Sequence, residues 1–464
     1  MAEPAKNDLV RGLSATDATL ITIGSVLGTG AFLTSADVAR ALPHAGLVLL
    51  AWIFGGVLTL AGALTYAELG TMMPRAGGPY HFLKEAYGPI FGFLKGWVDF
   101  LVVMSGGLAA IAVGFGEYLG SFVPFFSSSN VLLGADLFGH AWKLTGGAVA
   151  GVLAVLFFTV TNIMGLRESA VLQNLLTVLK VGAMLALALL GLVVAPVVSP
   201  DFTSTAMPPS LLSALGLAMI GVVWTFDGWY ALTYLGGEMK EPSRDLPRAM
   251  VGGVGAVTIL YVLLNVVYLR AIPVLEMPGH PRIAEAAAVA LFGAGAAKLV
   301  SAAVMVSAFG CIGSTILYST RTYLPMARDG VFFKSLAEVH PKWRTPVACI
   351  LAQGAWTVVL TISGTYEAIY TYVVVVLFLF HAATGAAVFV LRARKPEWPR
   401  PYRVTGYPFV PALFILTSLA FVLNSLMERP VESLLGFGIM LLGIPAYLYW
   451  RRASRVALSD RFPK

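Results

Sequence analysis

The chain has 464 residues, of which 58% are hydrophobic and only 12% charged, with a mean hydropathy of +0.81. A water-facing surface needs roughly 25% charge to stay dissolved, so this composition excludes a soluble domain. The net charge of +7 would suit nucleic acid or an anionic surface, and the placement of the charges along the chain decides between them.

Apolar runs long enough to cross ~30 Å of hydrocarbon recur from one end to the other. Twelve helical spans are predicted near 18–40, 46–72, 89–119, 144–165, 171–195, 211–237, 247–272, 297–324, 346–364, 366–391, 409–427 and 431–450. The first 17 residues are polar and contain no apolar core, so no removable secretory signal is expected and the first span directs insertion. On this map 24 of the 31 basic residues lie on the side shared by both chain ends. Six lie on the other (Arg40, Lys143, Arg270, Arg282, Lys298, Arg429), and Lys180 falls within a span. The asymmetry predicts cytoplasmic termini and a multi-pass protein of the cell (inner or plasma) membrane. It also reads the basic excess as a topology signal rather than a nucleic-acid surface.

Two spans are interrupted at corresponding points. The first carries Gly24-Ser25-Val26-Leu27-Gly28-Thr29-Gly30 at about mid-depth, and the sixth carries Phe226-Asp227-Gly228-Trp229 at a similar depth. Glycine costs ~1 kcal/mol relative to alanine within a helix, and a carboxylate at the bilayer centre ~2.5–3.5 kcal/mol, so neither segment serves simple spanning. Interrupted helices five spans apart predict an inverted repeat of five plus five helices, with a binding site where the backbone unwinds. Close helix packing through small residues is the alternative for either break alone. The expected organisation is a cytoplasmic segment at 1–17, repeats at 18–195 and 211–391, a cytoplasmic loop at 392–408, two added spans within 409–450 and a tail at 451–464.

Six segments in order resemble one family. They are Gly24 to Phe32 (GSVLGTGAF), Tyr66 to Tyr80 (YAELGTMMPRAGGPY), Phe226 to Pro247 (FDGWYALTYLGGEMKEPSRDLP), Ser319 to Gly330 (STRTYLPMARDG), His340 to Pro346 (HPKWRTP) and Arg400 to Pro408 (RPYRVTGYP). The chain resembles the amino acid-polyamine-organocation transporters, and within them the L-type exchangers and their bacterial relatives. That resemblance implies an all-α membrane protein of LeuT-like architecture, with helices 1 and 6 unwound at mid-membrane.

A helix that restarts after a break presents free N–H groups and the positive end of its dipole, which suits a carboxylate. Carbonyls left free upstream suit an ammonium group, so an L-amino acid zwitterion matches both. By resemblance, the amides near Thr29 and Gly30 hold the carboxylate, and the carbonyl of Val26 and those from Trp224 through Thr225 and Phe226 to Asp227 hold the amine. Gly30→Val is then expected to obstruct the carboxylate cradle. Trp224 stands where the family places an aromatic gate, with a packing role as the alternative. Asp227, an intramembrane carboxylate, is expected to shape side-chain selectivity.

Lys180 lies ~11 residues into the fifth span, about 16 Å from its edge and too deep for easy snorkelling. Asn174 to Lys180 (NLLTVLK) resembles the family segment whose lysine replaces the sodium ion of sodium-coupled relatives, with Gly24 and Ser307 as expected contacts. This implies sodium independence and leaves two mechanisms open, obligatory exchange with Lys180 as a fixed charge, or proton coupling through its reversible protonation. Asp99 and Glu117, toward opposite ends of the third span, are expected to meet interfacial water or a basic partner. His381 is read as a hydrogen-bonded bystander or a titrating group, and Glu68 as part of a structural ion pair or gate.

Some features depart from the exchangers. Tyr230 stands where many eukaryotic members have asparagine, and Gly237 replaces the first of two acidic residues. The external loop, about Gly120 to Lys143, lacks the cysteine that links eukaryotic light chains to a heavy chain, so a disulfide-bonded partner is not expected. Cys311 and Cys349 lie in apolar segments without metal-thiolate spacing, and no metal or cofactor is expected. His-Glu-x-x-His, Gly-x-Ser-x-Gly and Walker patterns are missing, which argues against an enzyme or a self-contained ATP-driven pump. The reading is a sodium-independent amino acid exchanger working by alternating access, with a proton-coupled symporter of the same fold as the alternative.

Overall fold

The computed structural model describes residues 9–137, 140–200, 202, 207–364 and 366–459. The predicted segment boundaries at residue 1 and at 464 lie outside the described residues. In chain order the helices are α1 (Ala15–Val26), α2 (Gly30–Ala41), α3 (Ala45–Met72), α4 (Pro79–Tyr87), α5 (Pro89–Val98) and α6 (Met104–Gly120). A π-helical turn, Asp99–Val103, joins α5 to α6. Strands β1 (Val131–Leu137) and β2 (His140–Thr145) then form an antiparallel hairpin. After it come α7 (Gly146–Met164), α8 (Leu166–Val193), α9 (Leu211–Thr225), α10 (Ala231–Tyr234), α11 (Pro242–Ala271) and α12 (Ile283–Phe292). The last six are α13 (Ala296–Arg328), α14 (Val347–Ser363), α15 (Tyr366–Arg394), α16 (Phe409–Glu428), α17 (Pro430–Leu441) and α18 (Gly443–Ser459).

Among the described residues nine helical stretches are long and apolar enough to cross a membrane. The pair α1 and α2, bent by 43° at residues 27–29, makes a tenth if it counts as one span. The remaining predicted spans coincide with α9 and α14, whose 15 and 17 residues are about 22 and 25 Å long, short of a full crossing. The outer faces are apolar, as hydrocarbon requires. On α3 the exposed side chains Leu50, Ile53, Phe54 and Val57 recur at helical spacing on one face.

Inside, small residues let helices approach. A Cβ on Gly116 of α6 would lie 2.1 Å from the Gly147 carbonyl oxygen of α7, and one on Gly56 of α3 would lie 2.2 Å from Thr258 Cγ2 of α11. At the start of α1 the Ser14 hydroxyl accepts the Asp17 N–H at 3.2 Å while the Asp17 carboxylate accepts the Ser14 N–H at 2.8 Å, a reciprocal cap. Two elements differ from the expectation. The loop between the third and fourth predicted spans contains the β-hairpin, and α13 continues past Pro325 to Arg328 rather than stopping before the proline.

The face that carries residue 9 is closed by polar groups, several of them buried. Gly12 and Leu13 both donate to the Glu238 carbonyl at 2.9 Å, and Lys240 N–H donates to the Leu13 carbonyl at 3.0 Å, strapping the N-terminal segment over the chain that follows α10. The Glu238 carboxylate accepts two bonds from Arg321 at 2.7 and 3.1 Å, with both side chains fully buried. Glu68 accepts from Arg392 at 2.8 and 2.6 Å and from Val404 N–H at 2.7 Å, which makes the expected ion pair. Asp329 accepts from Tyr80 and Lys84. On the opposite face Arg282 meets Glu117 at 3.0 Å and covers the Tyr118 ring, with the pair partly exposed, and Arg270 donates to the Leu192 and Val194 carbonyls at 3.2 and 2.9 Å.

Two residues that the charge map counts on the basic face, Lys95 and Arg321, are buried in helix interiors and paired with carboxylates. A hydropathy map sees where a basic residue sits along the chain and cannot see the acid packed against it.

Candidate functional site

The break after α1 leaves carbonyls with no helical partner, because Gly28 N–H turns to Val26 and abandons Gly24. Lys180 of α8 fills that gap. Its ammonium donates to the Gly24 carbonyl at 2.6 Å and to the Leu27 carbonyl at 3.0 Å, with Cys311 Sγ at 3.7 Å. Ser307 of α13 donates to the same Leu27 carbonyl at 2.9 Å and to Gly28 at 3.1 Å. Lys180 and Ser307 therefore meet through a shared acceptor rather than directly. Cys311 adds a weak thiol donor to Leu27 at 3.2 Å. Sequence reasoning passed over it, although its four-residue spacing from Ser307 places both on one face of α13. The approach of α8 depends on Gly24, where a Cβ would lie 2.3 Å from Thr177 Oγ1.

The start of α2 forms the rim. Gly28, Thr29 and Gly30 are half-buried, and no side chain caps the helix that begins at Gly30. First-turn N–H groups thus face the break. Gly30 itself faces Thr225: a Cβ there would lie 2.6 Å from Thr225 Oγ1 and 2.8 Å from its Cγ2. A side chain at residue 30 collides with α9 before it obstructs any cradle, so Gly30→Val tests helix contact as much as ligand access. The Thr225 hydroxyl is held by Thr34 Oγ1 and the Gly221 carbonyl, both at 2.9 Å.

Tyr261 of α11, which the sequence did not single out, ties the two breaks together. Its hydroxyl lies 3.0 Å from the Val26 carbonyl and 3.2 Å from the Thr225 carbonyl. With Gly28 N–H also on Val26, both lone pairs of that carbonyl are engaged in this conformation.

Beyond Thr225 the chain turns through residues 226–230. Gly228 has φ +94°, and a Cβ would lie 2.5 Å from the Ser25 carbonyl, so both conformation and contact require glycine. Neighbouring side chains diverge. Phe226 is fully buried against Trp52 and Tyr261, leaving its backbone alone for any ligand. Trp224 and Asp227 are half-buried and line a narrow cavity with Trp229, Phe378 and His381. Tyr230 Oη lies 3.5 Å from Asp227 Oδ2. His381 Nδ1 is 2.9 Å from Tyr66 Oη within a cage of aromatic rings, the bystander arrangement of its two readings.

Asp99 lies away from interfacial water. It opens the π-helical turn, is fully buried, and pairs with Lys95 one turn earlier. Tyr234 of α10 completes the cluster, 3.2 Å from Asp99 Oδ2 and 3.3 Å from Lys95 Nζ. A pair at i and i+4 is visible in sequence, but its desolvated burial at a π turn is not.

The profile of a family described as amino acid permease matches residues 13–448. The chain belongs to the amino acid permease family. These are membrane transport proteins, not enzymes, and the resemblance carried by the six segments holds at the level of the family. The serine/threonine exchanger SteT of Bacillus subtilis is 33% identical over 445 residues, spanning 95% of this chain and 97% of that protein. The human cystine/glutamate transporter is 30% identical over 97% of this chain and 86% of its own length. The human large neutral amino acids transporter small subunit 2 is 28% identical over 94% and 80%.

Proposed function

We propose that this permease is a sodium-independent amino acid exchanger that works by alternating access around the breaks after α1 and α9. One observation carries the reading: a lysine ammonium sits on the carbonyls of Gly24 and Leu27, where a metal cation would otherwise be held. A resident organic cation removes the need for sodium. The half-buried stretch Gly28–Gly30, with the uncapped start of α2, receives the substrate carboxylate. The carbonyls after Trp224 receive the amine, Trp224 closes over the substrate, and Asp227 selects among side chains. Because Tyr261 engages Val26, substrate entry exchanges that bond for one to the amine.

The same proposal includes twelve spans, a five-plus-five inverted repeat, helices 1 and 6 unwound at mid-membrane, cytoplasmic termini, a cell-membrane location and no disulfide-linked heavy chain. A proton-coupled symporter is favoured by one feature: among the described residues Lys180 has carbonyl and thiol partners but no carboxylate, so its proton is not held by a counter-charge. Uptake of labelled amino acids into proteoliposomes, empty or preloaded with unlabelled amino acids and without ion gradients, separates the two. Exchange requires strong stimulation by internal amino acid. Uptake into empty vesicles that grows with an inward proton gradient would replace it with symport, and dependence on sodium would overturn both.

A further inference from the structure

On the face closed by the N-terminal strap, a cavity of about 480 Å³ opens between Arg11, Arg75, His81 and Trp398. Arg11 and Arg75 are exposed, and neither guanidinium has a hydrogen-bond or ion-pair partner among the described residues. The acid in the lining, Glu85, is already neutralised by Lys395 at 2.7 Å, and Lys395 lies over the Trp398 ring. Burial pushes His81 down to about 4, so at neutral pH it adds no charge and the two arginines set the sign of the cavity. Two guanidiniums with no protein partner among the described residues, beside a half-buried tryptophan, suit a phosphate anion.

Depth favours a lipid as its source. The cavity is also lined by Met72, the last residue of the 28-residue α3, whose ~42 Å length exceeds the hydrocarbon core and carries its end into the headgroup layer. Trp398 at that level is the usual interfacial anchor. We propose that this cavity binds the phosphate headgroup of an anionic lipid, which bridges Arg11 to Arg75. Arg11 immediately precedes Gly12 and Leu13, the residues bonded to Glu238, and Arg75 lies in the α3–α4 loop, packed close to Gly236 and Gly237. The bound phosphate therefore staples the strap to its neighbour and holds this face closed, a consequence that rests on the alternating-access reading.

Binding is tested without transport, so that its failure and a failure of the transport reading remain distinct. Purified protein is titrated with phosphatidylglycerol, phosphatidylcholine and glycerol 3-phosphate, and adducts are quantified by native mass spectrometry. Each basic side chain near an anionic surface contributes roughly fivefold, so the double variant Arg11→Gln/Arg75→Gln is expected to bind phosphatidylglycerol about 30-fold more weakly. Phosphatidylcholine binding should not change. Arg75→Lys, which keeps the charge, should stay within about threefold, and Arg451→Gln/Arg452→Gln, an exposed pair on α18, within about twofold. Glycerol 3-phosphate that competes with phosphatidylglycerol in the wild type and not in the double variant would support the phosphate site and name a soluble ligand as its source. Unchanged phosphatidylglycerol affinity in the double variant, or an equal loss in the α18 pair, overturns the proposal.

Discussion

Replacing Gly30 with alanine probes the contact on which the two breaks depend. The added Cβ would lie 2.6, 2.8 and 3.0 Å from Oγ1, Cγ2 and Cβ of Thr225, whereas ordinary carbon contacts lie at about 3.5–4.0 Å. Thr225 cannot simply rotate away, because its hydroxyl bonds Thr34 and Gly221. Overpacking costs about 1–3 kcal/mol and a disrupted hydroxyl bond about 1 kcal/mol, while alanine's helix preference returns at most ~1 kcal/mol. The net expectation is a destabilisation of about 1–3 kcal/mol. Thr225→Ala removes two of the three opposing atoms, so the double variant should recover at least ~1 kcal/mol relative to the sum of the singles. Unfolding free energies of the four proteins in a mixed-detergent titration measure that coupling, and amino acid uptake follows in parallel. If the single losses simply add, α2 and α9 do not meet at this point, and any uptake defect of Gly30→Ala has to be assigned to the ligand instead.

Other consequences are checked more briefly. Lys180→Met strips the donor from the Gly24 and Leu27 carbonyls and should lower uptake at least tenfold in protein that still purifies as a folded species; wild-type uptake would remove Lys180 from the mechanism. Asp227→Asn should change the ranking of amino acids in a competition assay, and an unaltered profile would show that the carboxylate does not select. Arg321→Met leaves Glu238 buried without its partner and should cost about 3–5 kcal/mol, most of it regained in Arg321→Met/Glu238→Leu; unfolding titrations of the two variants decide this. Lys95→Met should be similarly damaging, and the companion Lys95→Met/Asp99→Leu milder, as judged by thermal unfolding.

The spans were legible because hydrocarbon imposes long apolar helices, and α3, α7, α11 and α16 lie within a few residues of where hydropathy places them. The ends of α1 and α9 also fall beside the clustered glycines and the carboxylate, residue types that work against a plain spanning helix. What escaped was mutual position. Nothing local distinguishes Tyr261 from the other aromatic residues of α11, and its hydroxyl matters because α1 and α9 both end beside it. Phe226 and Asp227 are adjacent in sequence, yet the turn sends one ring into the core and the other side chain to the cavity. Lys95 and Asp99 read as residues near an interface, whereas the π turn and Tyr234 make them one enclosed cluster. The β-hairpin was missed because strands are a minor possibility in a chain read throughout for helical spans.

Water and salt reach the Arg282 to Glu117 contact, as they reach Lys84 and Asp329 on the other face. At ~0.15 M salt, exposed charges are screened over about 8 Å, and such a pair contributes roughly 0–1 kcal/mol. The fully buried pair of Glu238 and Arg321 is largely insulated from the same ions. Ionic strength then acts on the exposed pairs of either face and leaves the enclosed ones nearly untouched. Raising salt would therefore loosen the Arg282 to Glu117 contact while the enclosed pair of Glu238 and Arg321 holds.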